Sequence, residues 1–229
     1  MSLVELGGPV PGSWSVNGSQ RIDAASTYKL PALMKESQLV SSGAVSGSGP
    51  VCYQDGDWED GWFTDYSAGS CNARSELAQR AAHYSDNTAG HMLVRDLGGN
   101  DVLNAFASSL GTHNSAFFDG NTTTSDDLTS LLVAEASGRV GGSAGQAWLY
   151  PLLTHTAYEA GIPAGVPATA TVVHKTGEVD PVVNDAAIVS GGRNGTYVLT
   201  VMTDAAGGPA GWAEVAQISA AVWQYEAAR

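Results

Sequence analysis

A chain of 229 residues in which 43% of side chains are hydrophobic and 14% are charged is long enough to bury a core and too apolar to remain disordered. Its formal charge of -13, with ten Lys and Arg against 23 Asp and Glu, argues against a nucleic-acid or anionic-membrane partner, since both are bound through basic surface. No apolar run approaches the roughly 20 residues of a membrane span, and no basic start followed by an apolar core marks a signal peptide within the chain.

Val4, Glu5 and Leu6, a Gly-Pro turn over residues 7–12 and an alternating stretch over residues 13–18 read as a β-hairpin. The abrupt start, with Met1-Ser2-Leu3 leading straight into a strand, fits removal of an N-terminal segment. An exported location, periplasmic, extracellular or at the cell surface, is expected. Residues 24–34 read as a helix, because Leu30, Leu33 and Met34 fall at helical spacing. Ser26 in its first turn puts Lys29, three residues on, on the same face. Residues 41–50 are small and flexible. Cys52 and Cys71 then flank an acidic, aromatic loop, Asp55-Gly56-Asp57-Trp58-Glu59-Asp60-Gly61-Trp62. Two isolated cysteines do not complete a four-ligand zinc site, and no His-x-x-x-His or Cys-x-x-Cys accompanies them, so no metal is expected. A disulfide closing this loop is the favoured reading, and it implies an oxidising compartment.

A second helix is expected from about Asn72, with Leu77, Arg80, Ala81 and Tyr84 as a mixed stripe, delivering Ser85-Asp86-Asn87 at its end. The next carries Met92, Leu93 and Leu97 and stops at Gly98-Gly99; another runs from Asp101 to Gly111. After an irregular piece, Thr124-Ser125-Asp126-Asp127 caps a helix containing Leu128, Leu131, Leu132 and Ala136, and residues 144–160 form the last helix of this run. Residues 169–174, 185–189 and 196–202 are β-rich segments between glycine and asparagine turns, and a closing helix spans residues 211–225. Strands at both ends and helices between them predict a single α+β domain over residues 1–229. The two ends form one antiparallel sheet with flanking helices, in a lobe of about residues 1–25 and 160–229, beside an all-helical lobe of about 26–159. A monomer is expected.

The chemistry begins at Ser26. A serine hydroxyl is a poor attacker until a base takes its proton, and a lysine enclosed among cations and apolar groups can be that base because its charged form is disfavoured. Ser85-Asp86-Asn87 adds a hydroxyl and an amide; Lys175-Thr176-Gly177 adds a cation, a hydroxyl and a residue without a side chain. Each triplet alone is uninformative, but Ser85 lies 59 residues beyond Ser26 and Lys175 lies 90 residues beyond Ser85, in a fixed order.

In that order, Ser-x-x-Lys, Ser-Asp-Asn and Lys-Thr-Gly resemble the signature set of class A β-lactamases and penicillin-binding proteins. The resemblance extends to Asn72-Ala73-Arg74-Ser75-Glu76-Leu77, Asn121-Thr122-Thr123-Thr124, Ala160-Gly161-Ile162-Pro163-Ala164-Gly165 and Val183-Asn184-Asp185, and so covers essentially the whole chain. It implies a β-lactamase/transpeptidase-like fold and no cofactor. It implies Ser26 as the acylated nucleophile and Lys29 as its proton acceptor. Ser85 becomes the hydroxyl that relays a proton to the leaving nitrogen, and Asn87 the amide that holds Lys29 and the substrate's acylamino group. Lys175, Thr176 and Gly177 correspond to the strand edge that receives the substrate carboxylate, and the N–H groups of Ser26 and Glu178 to the oxyanion hole. Two lysines facing one serine favour an unprotonated Lys29, because each cation disfavours the other.

One departure stands out. The family's deacylating glutamate lies in a loop before the Thr-Thr helix, whereas here that interval is shortened to residues 112–120 and contains no glutamate; its single carboxylate is Asp119. The family's N-terminal helix is also missing from this sequence. Two classes of function follow. One is a serine hydrolase acylated by a small-molecule β-lactam or a cell-wall peptide, with slow deacylation or a different deacylating base; the other is a non-catalytic relative that binds such molecules and turns nothing over. The loop at residues 58–66 either borders the pocket or forms solvated cover for the helical lobe.

Overall fold

The fold is described from a computed structural model covering residues 1–228. From the N-terminus, β1 (Ser2–Glu5) and β2 (Ser13–Ser15) form the expected hairpin, and β3 (Ile22–Asp23) leads into a 3₁₀ turn, Ala25–Tyr28, that runs directly into α1 (Lys29–Ser41). The short ladder of β4 (Pro50–Cys52) and β5 (Cys71–Ala73) closes the acidic loop, and α2 (Arg74–His83), α3 (Asn87–Asp96) and α4 (Asn100–Ser109) follow. β6 (Thr122–Thr123) pairs with β3; α5 (Ser125–Ala136) and α6 (Gly142–Leu149) complete the helical part. The chain finishes in β7 (Thr171–Val179), β8 (Val182–Gly192), β9 (Gly195–Thr203) and α7 (Gly208–Ala227).

Both chain ends build one five-stranded antiparallel sheet in the order β2-β1-β9-β8-β7. Its long strands read as apolar runs because both faces are covered. Along β8, Ala186 and Ile188 face the core shared with the helical lobe, while Val183, Ala187 and Val189 face the core under α7, packed against Val215 and Val222. The same period of two splits β9, where Val198 lies on the helical side and Tyr197, Leu199 and Val201 on the α7 side. Three layers result, and β7 is the sheet edge closest to the Ser26 turn.

Three differences from the sequence reading have local causes. Ser26 does not sit in the α-helix: Ala25 adopts φ +45°, and the turn it starts is 3₁₀, so α1 begins only at Lys29. The helix expected over residues 144–160 stops at Leu149 and tightens into a 3₁₀ turn, Tyr150–Leu152, because Pro151 has no N–H to continue the ladder. The late strands run longer than their β-branched cores, so Lys175, Thr176 and Gly177 lie within β7.

Candidate active site

The turn carrying Ser26 is held from several sides. Asp23 Oδ1 accepts from the Ala25 N–H at 2.6 Å, and the Thr27 N–H and hydroxyl both donate to Ala24 O, at 3.0 and 2.6 Å. Asn121 donates to Ala25 O at 3.1 Å, and Asn184 on β8 donates to Asp23 O and Ala24 O at 2.9 and 3.2 Å. Such a network is what keeps a non-glycine residue at positive φ beside a reactive group.

Lys29 follows within the same turn, fully buried, and its Nζ lies 2.8 Å from Ser26 Oγ, 3.0 Å from Ser85 O and 2.7 Å from Asn87 Oδ1. Ser85 sits between α2 and α3 at φ +58°, which turns its backbone carbonyl toward Lys29 and its hydroxyl toward Lys175 Nζ, 2.9 Å away. Lys175 also donates to Thr176 O at 2.8 Å. The four residues expected to act together, Ser26, Lys29, Ser85 and Lys175, are therefore joined by hydrogen bonds, the Lys29 link running to the Ser85 backbone carbonyl and the Lys175 link to its hydroxyl. Asp86 is committed elsewhere. It caps α3 by accepting from the Ala89 N–H at 2.9 Å, and it receives the Tyr66 hydroxyl at 2.6 Å and the Phe63 N–H at 3.0 Å.

Two glycines permit the close packing. A Cβ on Gly177 would lie 2.9–3.0 Å from Ala24 O, Ser26 N and Thr27 N, so only glycine lets β7 rest against the Ser26 turn. A Cβ on Gly90 would meet Lys29 Cε at 2.7 Å, which fixes how near α3 passes to the lysine. Thr176, Gly177 and Glu178 line a cleft of about 400 Å³ together with Ser26, Ser85 and Asn87. The Glu178 side chain is turned away to accept from the Gly208 N–H and Trp212 Nε1, both at 3.0 Å.

Burial, which penalises the charged form, pushes the Lys29 ammonium down to about 7 against the opposing fields of Glu59 and Asp86. Lys175 is lowered well below the usual lysine range, by burial first and by Lys29 second. Of the two causes expected to favour a neutral Lys29, enclosure and a second cation, enclosure is the larger. The arrangement places an amine that is neutral in a substantial fraction near pH 7 within proton-transfer distance of a hydroxyl.

The Cys52–Cys71 disulfide forms across β4 and β5, and the loop it closes borders the cleft through Gly61 and Trp62. Trp62 Nε1 donates to the Tyr158 hydroxyl at 2.7 Å across the mouth. Asp60 O accepts from Asn87 Nδ2 at 2.8 Å. On the other side of Ser26, the short interval of residues 112–120 brings Phe118 against Tyr28 and His91, with ring centroids 5.5 and 4.9 Å apart, and leaves Asp119 exposed. Sequence reasoning missed one pair here. His91 Nε2 meets Glu59 Oε2 at 2.7 Å, and no local period links a loop residue to a helix face 32 positions later. Among the described residues, no group of three or more His, Cys, Asp or Glu side chains is placed to hold a metal ion.

Residues 11–226 match a family model described as the beta-lactamase enzyme family. Beta-lactamase CTX-M-8 of Citrobacter amalonaticus is 31% identical over 145 residues, which is 56% of this chain and 50% of that protein, so the match spans half the length of this curated relative. Among solved structures, PBP-A superposes with a TM-score of 0.90 at 28% identity, covering 98% of this chain and 88% of the other. An acyl-enzyme complex of a PBP-A variant with penicillin G gives 0.87 at 28% identity, covering 98% and 89%.

Proposed function

Since this chain belongs to the beta-lactamase enzyme family, we propose that it is an active-site serine hydrolase acylated at Ser26 by β-lactams or by a peptidoglycan-type peptide. The observation that carries this reading is the contact of Ser26 Oγ with a buried Lys29 held near neutrality, at 2.8 Å. Neutral Lys29 takes the Ser26 proton as Oγ attacks the substrate carbonyl, and the developing oxyanion faces the N–H groups of Ser26 and Glu178. Ser85, held by Lys175 at 2.9 Å, passes a proton to the departing nitrogen. Lys175 and Thr176 at the edge of β7 receive the substrate carboxylate, and Asn87 holds its acylamino group. A β-lactam ring nitrogen stays tethered to the acyl group after it leaves, so the ester persists until water reaches it.

Deacylation is slow in this reading. A well-placed general base contributes about 10²–10⁴-fold, and residues 112–120 supply no glutamate to the cleft. The acyl-enzyme complex of a PBP-A variant with penicillin G supports acylation by a β-lactam in a chain of this shape. The Cys52–Cys71 disulfide supports an exported, oxidising location.

A nitrocefin time course with intact-mass analysis tests this reading. The expected result is a burst of about one equivalent, a covalent adduct on Ser26, then a nearly flat phase, with no adduct in Ser26→Ala. Sustained turnover on the order of tens per second overturns the slow step. A chain that binds without forming an adduct is the non-catalytic relative instead.

A further inference from the structure

A second cleft, of about 420 Å³, opens on Ser26 from the side opposite Trp62, and four acidic residues line it: Asp23, Glu59, Asp119 and Glu178. Two are already committed, Asp23 to the Ala25 N–H and Glu178 to the Gly208 N–H and Trp212 Nε1. Asp119 is exposed, and only its backbone is anchored, by donation from its N–H to Asn100 Oδ1 at 3.2 Å. Glu59 differs from all three. Its N–H accepts no slack: it donates to Thr88 Oγ1 at 3.1 Å, and its carbonyl accepts from the same hydroxyl at 2.8 Å. Its Oε2 is held by His91 Nε2 at 2.7 Å, while Oε1 makes no hydrogen bond among the described residues. His91 and Asn87 are four residues apart on one face of α3, so the helix that holds Lys29 through Asn87 also holds Glu59 through His91. Glu59, His91, Asn87 and Ser26 line the same cleft.

We infer that Glu59, positioned by His91, activates the water that hydrolyses the Ser26 ester; the inference rests on acylation at Ser26 as proposed above. The water oxygen bonds to the acyl carbon while its proton passes to the free oxygen of Glu59. As the tetrahedral species collapses and the carbon–Oγ bond breaks, Glu59 gives up that proton and neutral Lys29 relays it to Oγ, so both groups return to their starting states and the product leaves as the free acid. Half of the Glu59 side chain remains open to solvent, at 50% exposure, so bulk water competes for the place where the attacking water must be held. Slow hydrolysis is therefore the outcome this geometry gives.

The test separates burst from release by following nitrocefin burst kinetics and the decay of a penicillin adduct by intact mass. Glu59→Gln is expected to keep burst amplitude and acylation rate within about twofold and to lengthen the adduct lifetime at least about tenfold. His91→Leu lengthens it similarly, and His91→Gln, whose amide still reaches the carboxylate, restores it to within about threefold, a rescue that a merely structural role would not show. Asp119→Asn leaves both phases unchanged. Equal adduct lifetimes in Glu59→Gln and the parent, or a lengthened lifetime confined to Asp119→Asn, overturn the inference while leaving the Ser26 reading intact. Absence of any adduct in the unchanged protein overturns the Ser26 reading and this inference with it.

Discussion

Lys29 is a base only while it lacks its proton, and its burial decides how often that is so. With the ammonium pushed down to about 7, the reactive neutral form grows as pH rises through that value. The acylation rate is therefore expected to be small well below pH 7, to reach half its plateau near 7 and to level off above it. Stopped-flow bursts across this range check the sign; a rate that is flat or falls with rising pH contradicts it. Lys29→Arg, which cannot deprotonate, should lose the burst at every pH. At this scale the sequence was readable where chemistry is local: Ser26 and Lys29 are three residues apart and meet. Ser85, Asn87 and Lys175 were readable only through their resemblance to a family pattern, since nothing in their own neighbourhoods announces a contact across 90 residues. The positive φ of Ala25 and Ser85 left no trace, because neither is a residue that favours that conformation.

Among the elements, the loop closed by Cys52 and Cys71 does the most for its length. It carries Glu59, the carbonyl of Asp60 that fixes Asn87, and Trp62 at the mouth. Its cysteines lie 19 residues apart, and a cross-link closing a loop of this size stabilises by about 3 kcal/mol. The double variant Cys52→Ser, Cys71→Ser is expected to unfold at correspondingly lower urea and to acylate more slowly, because Asn87 loses a fixed partner. Equal stability with an unchanged burst would show that the ladder of β4 and β5 alone shapes the loop. The pairing of these cysteines was legible from composition. The end of α6 was less so: apolar spacing continues past Pro151, and the residue that stops a helix outweighs the period that extends it.

For the molecule as a whole, two buried groups outside the active site lower stability as pH rises. Burial disfavours a charged His174, but Asp185 at 2.9 Å and Glu159 at 3.1 Å outweigh it and hold the imidazole up at about 9. A folded value above the unfolded one, about 6.5, gives stability that is complete below 6.5 and lost as pH rises through 9. Glu135 has the same sign in a lower window. Burial raises it to about 7 and neither carboxyl oxygen has a hydrogen-bond partner, so folding tolerates its neutral form and is penalised as it ionises. These two contributions are read as differences between parent and variant, because the buried Lys29 and Lys175, lowered by enclosure, contribute stability that rises with pH above about 7 and opposes them. Relative to the parent, Glu135→Gln should remove a loss of stability between about 4.5 and 7, and His174→Gln one between about 6.5 and 9; a parent-minus-variant difference that stays flat across its window would contradict that assignment. The α+β layout was legible because both faces of the sheet leave their period in β8 and β9, whereas Glu135 was not, since a charged letter in a helix reads as surface.

The sheet's connectivity has a further consequence for how the protein comes into being. Leu3 pairs with Leu199, so β1 leaves the ribosome long before the strand it pairs with has been made. The helices between can collapse while translation continues, but β7, with Lys175 and Gly177, is still unmade. Ser26 therefore lacks Lys175 and the strand that rests against its turn in any product that ends before β7, and the site is completed only once that strand is made.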